Sequence, residues 1–195
     1  MGALTEITGY LLQTVLSLLL MALMLRLLLQ VVRADFYNPI SQMLVKVTNP
    51  LVAPVRRIVP GLWGVDMATL VLLVLVQLAG IAAMLLLNGY ALPNPILMLV
   101  WSLIGICALT VQFFFFALLG MIILSWIAPG SSHPAVHLLY QVTEPVMSPC
   151  RKVLPPMGGL DLSPIALFIG INILQIALRH AAASVGLPTV LVLGL

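Results

Sequence analysis

Charge is scarce in this sequence. Only 7% of its 195 residues are Asp, Glu, Lys or Arg, whereas 63% are hydrophobic. A soluble domain carries about a quarter charged residues, so a water-soluble fold is excluded and a bilayer is the solvent that suits the chain. The two cysteines, Cys107 and Cys150, make no CxxC pair, disulfide framework or metal cluster. A basic strip able to follow a phosphate backbone is missing, which excludes direct nucleic-acid contact. Glycine-rich phosphate loops are absent, no nucleophile stands beside a positioned base, and no carboxylate falls in the middle of an apolar run. These absences argue against an enzyme, against a resident cofactor or metal, and against a proton-coupled transporter.

What the chain has instead is long apolar runs. A hydrocarbon core of about 30 Å asks for about 20 apolar residues per helix, and four runs stand out: Leu11–Val32, Met67–Leu87, Ile106–Ile127 and Leu162–Leu178. The expected fold is an all-α membrane protein with four transmembrane helices. Six of the eight basic residues (Arg33, Lys46, Arg56, Arg57, Arg151 and Lys152) lie after the first and third runs, on one side if all four span. The positive-inside tendency makes that side cytoplasmic and both termini periplasmic. Arg179 is the exception. The first run is longer than a signal-peptide core and lacks a basic lead, so it reads as a retained anchor.

The sequence between runs occurs twice. Residues 38–66 and 133–161 align without a gap at an offset of 95, with ten of twenty-nine positions identical. The identities include Pro39/Pro134, Pro50/Pro145, Pro54/Pro149, Pro60/Pro155, Arg56/Arg151 and Asp66/Asp161. A proline ladder held in register signals internal duplication. The expected division is residues 1–95 and 96–195, each a tandem helix–amphipathic segment–helix repeat, with the amphipathic segments at 38–60 and 133–155.

Each segment has a readable start. Asn38 suits an N-cap and Pro39 the first helical position, and His133-Pro134 repeats the arrangement. Ile40, Met43, Leu44, Val47 and Leu51 share one helical face, with Ser41, Gln42 and Lys46 opposite; Ala135, Leu138, Leu139, Val142 and Val146 repeat the stripe. Such a helix lies in the membrane interface with its apolar face down. Pro50 and Pro145 should break or restart it, and Pro54 and Pro149 should leave only a short kinked turn. The pairs Arg56-Arg57 and Arg151-Lys152 then stand at headgroup height. They form a candidate docking surface for anionic lipid headgroups or for a membrane-protein partner, a second copy of the chain included.

Asp66 and Asp161 open the second and fourth helices as N-caps favoured by the positive helix end. A salt link back to Arg57 or Lys152 would fasten each segment to its helix. Among the polar groups inside the runs, three stand out. Arg26 is a functional candidate by its depth, although its stem is long enough to snorkel to the interface, which is the plainer reading. Gln77 and Asn172 occupy equivalent positions, and their match suggests that they meet across the pseudo-symmetric interface. His133 and His137, four residues apart, have the spacing of a metal or haem ligand pair; Asn38 and Gln42 at the matching positions favour His133 as a substitute cap.

The strings Thr143-Glu144-Pro145, Pro149, Arg151-Lys152, Pro155, Gly158-Gly159 and Asp161-Leu162-Ser163-Pro164, with their first-copy echo from Asn38-Pro39 to Asp66, resemble the YggT family of bacterial inner-membrane proteins. The resemblance covers nearly the whole chain. It implies a multi-pass inner-membrane protein without enzymatic activity, linked in bacteria to osmotic tolerance and potassium homeostasis. Chloroplast relatives look like assembly factors for a membrane cytochrome or organisers of nucleoids. Met67-Ala68-Thr69 against Leu162-Ser163-Pro164, and Asn49 against Glu144, depart from identity between the copies. The leading expectation is a protein that supports membrane-complex assembly or stress tolerance through its basic segments. The alternatives are a passive potassium or solute pathway formed by an oligomer and lined by Gln77 and Asn172, and a haem-assembly role through the histidines.

Overall fold

The structure, a computed structural model, describes residues 2–62, 64–153 and 161–188. Pro155, Gly158 and Gly159 of the second motif copy lie outside them. Among the described residues six helices follow in order: α1 (Ala3–Val31), α2 (Pro39–Arg56), α3 (Met67–Leu87), α4 (Pro95–Ile127), α5 (Pro134–Val153) and α6 (Ser163–Ser184). Helices α1, α3, α4 and α6 are long and apolar enough to cross a membrane. The chain is all-α, built as two tandem repeats of long helix, short helix, long helix.

Several ends differ from the hydropathy reading. Helix α1 begins at Ala3, eight residues before the apolar run that starts at Leu11. Helix α4 begins at Pro95, although the apolar run read there starts only at Ile106. Asn94 accepts the Ile96 N–H at 2.9 Å and Pro95 takes the first helical position, the same Asn-Pro start as Asn38-Pro39. Hydropathy missed it because Ser102 and Gly105 interrupt the run; both are buried, and Ser102 returns its hydroxyl to the Met98 carbonyl.

The prolines do not break the short helices. Helix α2 continues through Pro50 and Pro54, and α5 through Pro145 and Pro149. A proline in a helix forfeits its bond to the carbonyl four residues back. All four prolines are exposed and each pair is four residues apart, so the forfeited bonds line one outer edge where solvent or headgroups can take the freed carbonyls. The inner edge keeps its ladder.

The stripe of α2 is also divided differently. Its buried residues are Ser41, Leu44, Thr48 and Val52, while Met43, Val47 and Leu51 are exposed. Ser41, expected on the outer face, packs inwards. In α5 the buried set is Val136, Leu138, Val142, Thr143 and Met147, and Ala135 is exposed.

Within each repeat the long helices pack on each other, α1 on α3 and α4 on α6, while α2 lies on α1 and α3 and α5 on α4 and α6. The α1–α3 approach is close: a Cβ on Gly80 would stand 3.2 Å from Leu16 Cδ1. The repeats join chiefly through α3 and α4. A core of Leu20, Leu23, Met24, Val52, Ala68, Leu73 and Leu109 draws on α1 to α4.

Helix α1 ends in a Schellman pattern, with Ala34 N–H bonding Leu29 O at 2.8 Å and Arg33 N–H bonding Gln30 O at 3.0 Å. Glycine usually holds the left-handed position. Here it is Arg33, at φ 53°, a conformation costing a side-chain-bearing residue on the order of 1–3 kcal/mol.

Candidate functional site: the short helices and their fastenings

The basic motif puts each short helix against the start of the long helix that follows. In the first repeat Arg56 donates to Asp66 Oδ2, and Thr69 donates to the same oxygen at 2.7 Å. In the second repeat Arg151 Nε reaches Asp161 Oδ2 at 3.1 Å. The expected salt link is therefore present, but Arg56 and Arg151 make it, not Arg57 and Lys152. One helical position decides this, because the residue ten before each aspartate points at it and the next points away.

The four cations of the motif thus divide. Arg56 and Arg151 are fastenings, whereas Arg57 and Lys152 have no ion pair among the described residues and are exposed, as is Lys46.

The aspartates also differ from simple caps. Asp66 holds the N-cap position of α3, yet its side chain accepts from Arg56 and Thr69 and not from the first-turn backbone. Asp161 stands one residue before the N-cap of α6, Leu162, and accepts the Ser163 N–H at 2.9 Å.

Behind Asp66 lies the largest departure from the sequence reading. Arg26 does not snorkel. It is 7% exposed, donates to Thr48 Oγ1 at 2.7 Å, and stands 3.9 Å from Asp66, itself 6% exposed. Thr48 passes the interaction to the Leu44 carbonyl. Gln30 completes the knot: its Oε1 accepts the Asp66 N–H at 3.1 Å, and its Nε2 donates to Gly64 O at 3.2 Å. Burying a guanidinium costs several kcal/mol unless an opposite charge and hydrogen bonds offset it, and this network supplies both.

The second repeat keeps the frame and drops the charge. Thr143, equivalent to Thr48, faces Met121, equivalent to Arg26, at 3.4 Å. The pairing moves to the surface, where Arg151 meets Glu144 at 3.0 Å as well as Asp161. Repeat one joins two arginines to one buried acid; repeat two joins one arginine to two exposed acids.

Burial alone would push the Asp66 carboxyl up, but the hydrogen bonds from Arg56 and Thr69 and the Arg56 charge more than reverse this. The carboxyl is held below its ordinary value. Ser163 and Arg151 hold Asp161 low too. A carboxyl depressed in the folded state contributes stability above its unfolded value, about 4, that is lost as pH falls through the folded value. Acidification below about pH 4 is expected to lower the unfolding temperature, and Asp66→Asn to flatten that dependence. An unfolding series against pH in detergent checks both; equal slopes for the two proteins would contradict the Asp66 assignment.

The two short helices are also tied to each other. Asn38 accepts the Ile40 N–H at 3.0 Å as the cap of α2, and its Nδ2 donates to Pro134 O at 2.8 Å, crossing from one repeat to the other. Gln141 Oε1 accepts the Asp35 N–H at 3.0 Å in a second crossing. His133 serves as a cap, its Nδ1 accepting the Ala135 N–H at 3.2 Å.

Gln77 and Asn172, expected in equivalent settings, are placed differently. Gln77 is buried on α3, whereas Asn172 is exposed on α6, donates to Phe168 O, and borders a groove with Gln112, Gln175 and Arg179. Among the described residues no group of three or more His, Cys, Asp or Glu is placed to hold a metal. The functional residues that sequence reasoning passed over are Gln30, Ser41, Thr48 and Thr69. Only Thr48 carried a signal, its identity with Thr143.

The sequence profile of the CCB3/YggT family matches residues 5–87 and again 100–182, two segments displaced by the same 95 residues as the proline ladder. The chain belongs to the CCB3/YggT family. It is similar to the Pseudomonas aeruginosa protein PA0392, 47% identical over 181 residues and 92% of each chain. To YggT of Escherichia coli K12 it is 36% identical over 177 residues, 91% of this chain and 92% of that one. CCB3 of the Arabidopsis thaliana chloroplast, a protein named for cofactor assembly of complex C, is 37% identical over 67 residues, a third of this chain (33%) and 38% of its own. None of these family members is named for a catalytic activity. No solved structure matches the chain.

Proposed function

We propose that the chain is a non-enzymatic assembly factor of the bacterial inner membrane. In this reading α2 and α5 form one platform on the cytoplasmic side that docks an acidic face of a membrane-protein partner. The observation that carries it is the double fastening of these helices, each staked to a long helix by an arginine–aspartate pair, with the cap of α2 bonded to the start of α5 through Asn38 and α5 bonded through Gln141 to Asp35 in the connection before α2. A surface that holds its shape before its partner arrives avoids the entropy of ordering on contact. Lys46, Arg57 and Lys152 remain without internal ion pairs among the described residues, so they are available for steering and pairing with acidic groups. The similarity to CCB3, a protein named for cofactor assembly, supports a partner that receives a cofactor.

The division of the cations supplies the test. In a strain lacking this chain, wild-type protein is expected to restore the level of cofactor-loaded membrane complexes, read as reduced-minus-oxidised spectra of membranes. The Arg57→Gln/Lys152→Gln variant, present at the same level and unfolding at the same temperature, is expected to restore little. Full restoration by that variant would remove the docking role.

A further inference from the structure

A cavity of about 570 Å³ opens between the C-terminal end of α1 and α2, within the size range of small-molecule sites. Arg26, Arg33 and Arg56 line it, opposed by Asp66 alone, with Gln30, Ser41 and Asn49 as neutral polar groups. Three guanidinium groups against one carboxylate leave the wall with an excess of positive charge. Among the described residues Arg26 makes one hydrogen bond, to Thr48, so most of the five donors of its planar fork are left for a ligand.

Ser41 gives the second, independent sign. It is 5% exposed, and its hydroxyl is buried without a hydrogen-bond partner. Thr14, Ser17, Thr48, Ser102, Thr110 and Thr143 each return the hydroxyl to the carbonyl four residues earlier. Ser41 stands in the first turn of α2, where residue 37 lies outside the helix, and that recourse is missing. A buried hydroxyl without a partner carries a penalty unless something supplies one. Its place on a wall rich in guanidinium groups marks that something as an anion.

The second repeat is an internal control. At the positions of Arg26, Arg33, Ser41 and Asn49 it has Met121, Ala128, Val136 and Glu144. The frame of helices and Arg56, as Arg151, are shared; Arg26, Arg33 and the serine are not. The first repeat therefore carries buried charge that the fold does not require.

We propose that this cavity binds the phosphate of an anionic phospholipid, with Arg26, Arg33 and Ser41 as its ligands and the apolar wall of Leu29 and Leu44 beside the start of an acyl chain. Guanidinium groups match phosphate oxygens in bidentate geometry. The cavity lies at the end of a helix long enough to span, the depth at which headgroups sit, and the exposed Met43, Val47 and Leu51 of α2 suit the surrounding acyl region. The site uses residues other than the free cations of the docking surface, so either reading can fail alone.

Native mass spectrometry of the full chain, released from nanodiscs of equal phosphatidylglycerol and phosphatidylcholine, counts the retained lipid. Wild-type protein is expected to keep one phosphatidylglycerol. Arg26→Met, which imports the residue of the second repeat, is expected to lower that occupancy about tenfold, and Arg57→Gln/Lys152→Gln to leave it unchanged. Should Arg26→Met fail to fold, Ser41→Val and Arg33→Gly serve: the first imports Val136, the second relaxes the left-handed backbone, and both are expected to lose the lipid while remaining folded. Unchanged occupancy in the folded variants, or equal retention of phosphatidylcholine, would overturn the site. Displacement of the lipid by millimolar inorganic phosphate, with equal thermal stabilisation, would overturn the lipid as its ligand.

Discussion

Replacing Asp66 with Ala is expected to lower folding stability by about 3–5 kcal/mol, and replacing Asp161 with Ala by no more than about 1 kcal/mol. The motif gives the two aspartates the same place in the sequence, and only their surroundings separate them. Asp66 is nearly buried and faces Arg26, which is buried too. Its removal leaves Arg26 without a countercharge, frees the Thr69 hydroxyl and loosens Arg56. Asp161 is 38% exposed and shares Arg151 with Glu144, so water and the second acid replace most of what is lost. Denaturant unfolding of both variants in the same detergent measures the difference. Equal losses would mean that the knot around Arg26 contributes nothing.

The double variant Asp66→Ala/Arg26→Met refines that test. It removes the acid and the buried charge together, so it is expected to recover much of the stability lost in Asp66→Ala, as buried ion pairs often yield to apolar packing at little cost.

Asn38→Ala is expected to cost about 2–3 kcal/mol, against about 1 kcal/mol for Asn94→Ala. Both residues cap a helix that opens on proline. Asn94 is expendable beyond its cap. Asn38 is buried and in addition donates to Pro134 O, so its loss removes the cap and leaves a carbonyl of the other repeat short of its donor. Thermal unfolding of the two variants side by side checks the contrast. A larger loss for Asn94→Ala would contradict a bond between the repeats as a support of the fold.

Much of this arrangement is legible in the sequence, and the reasons are local. Four apolar runs and an offset of 95 residues give the two-repeat helical plan, because hydropathy and register need no knowledge of contacts. Asn-Pro and His-Pro give the starts of α2 and α5, since capping is decided within four residues. The proline breaks fail for a reason that sequence does not carry: whether a helix tolerates proline depends on which side meets solvent, and all four prolines lie on the outer side. Arg26 fails similarly. A lone arginine near a helix end is equally suited to snorkel or to pair, and the choice rests on Asp66, forty residues on, being folded back beside it. The Arg56–Asp66 pair was visible as a type of bond but not as a residue, because one helical step separates Arg56 from Arg57.

The second repeat shows how little sequence change redirects the chemistry. Met121 for Arg26 and Glu144 for Asn49 move the ion pairs from the interior to the surface while Thr143 keeps the place of Thr48. Duplication supplied the frame twice; among the described residues the buried charge is confined to one copy.

Whether α2 and α5 act as one rigid platform is tested most directly by locking α5 to the connection that leads into α2. With Cys107 and Cys150 replaced by Ser, cysteines at positions 35 and 141, whose residues are joined by the Asp35–Gln141 bond, are treated in native membranes with a short thiol-to-thiol cross-linker. Near-complete intramolecular cross-linking is expected, with the locked protein still restoring cofactor-loaded complexes in the deletion strain. An absence of cross-link, or a cross-linked protein that has lost function, would contradict a platform that works without opening.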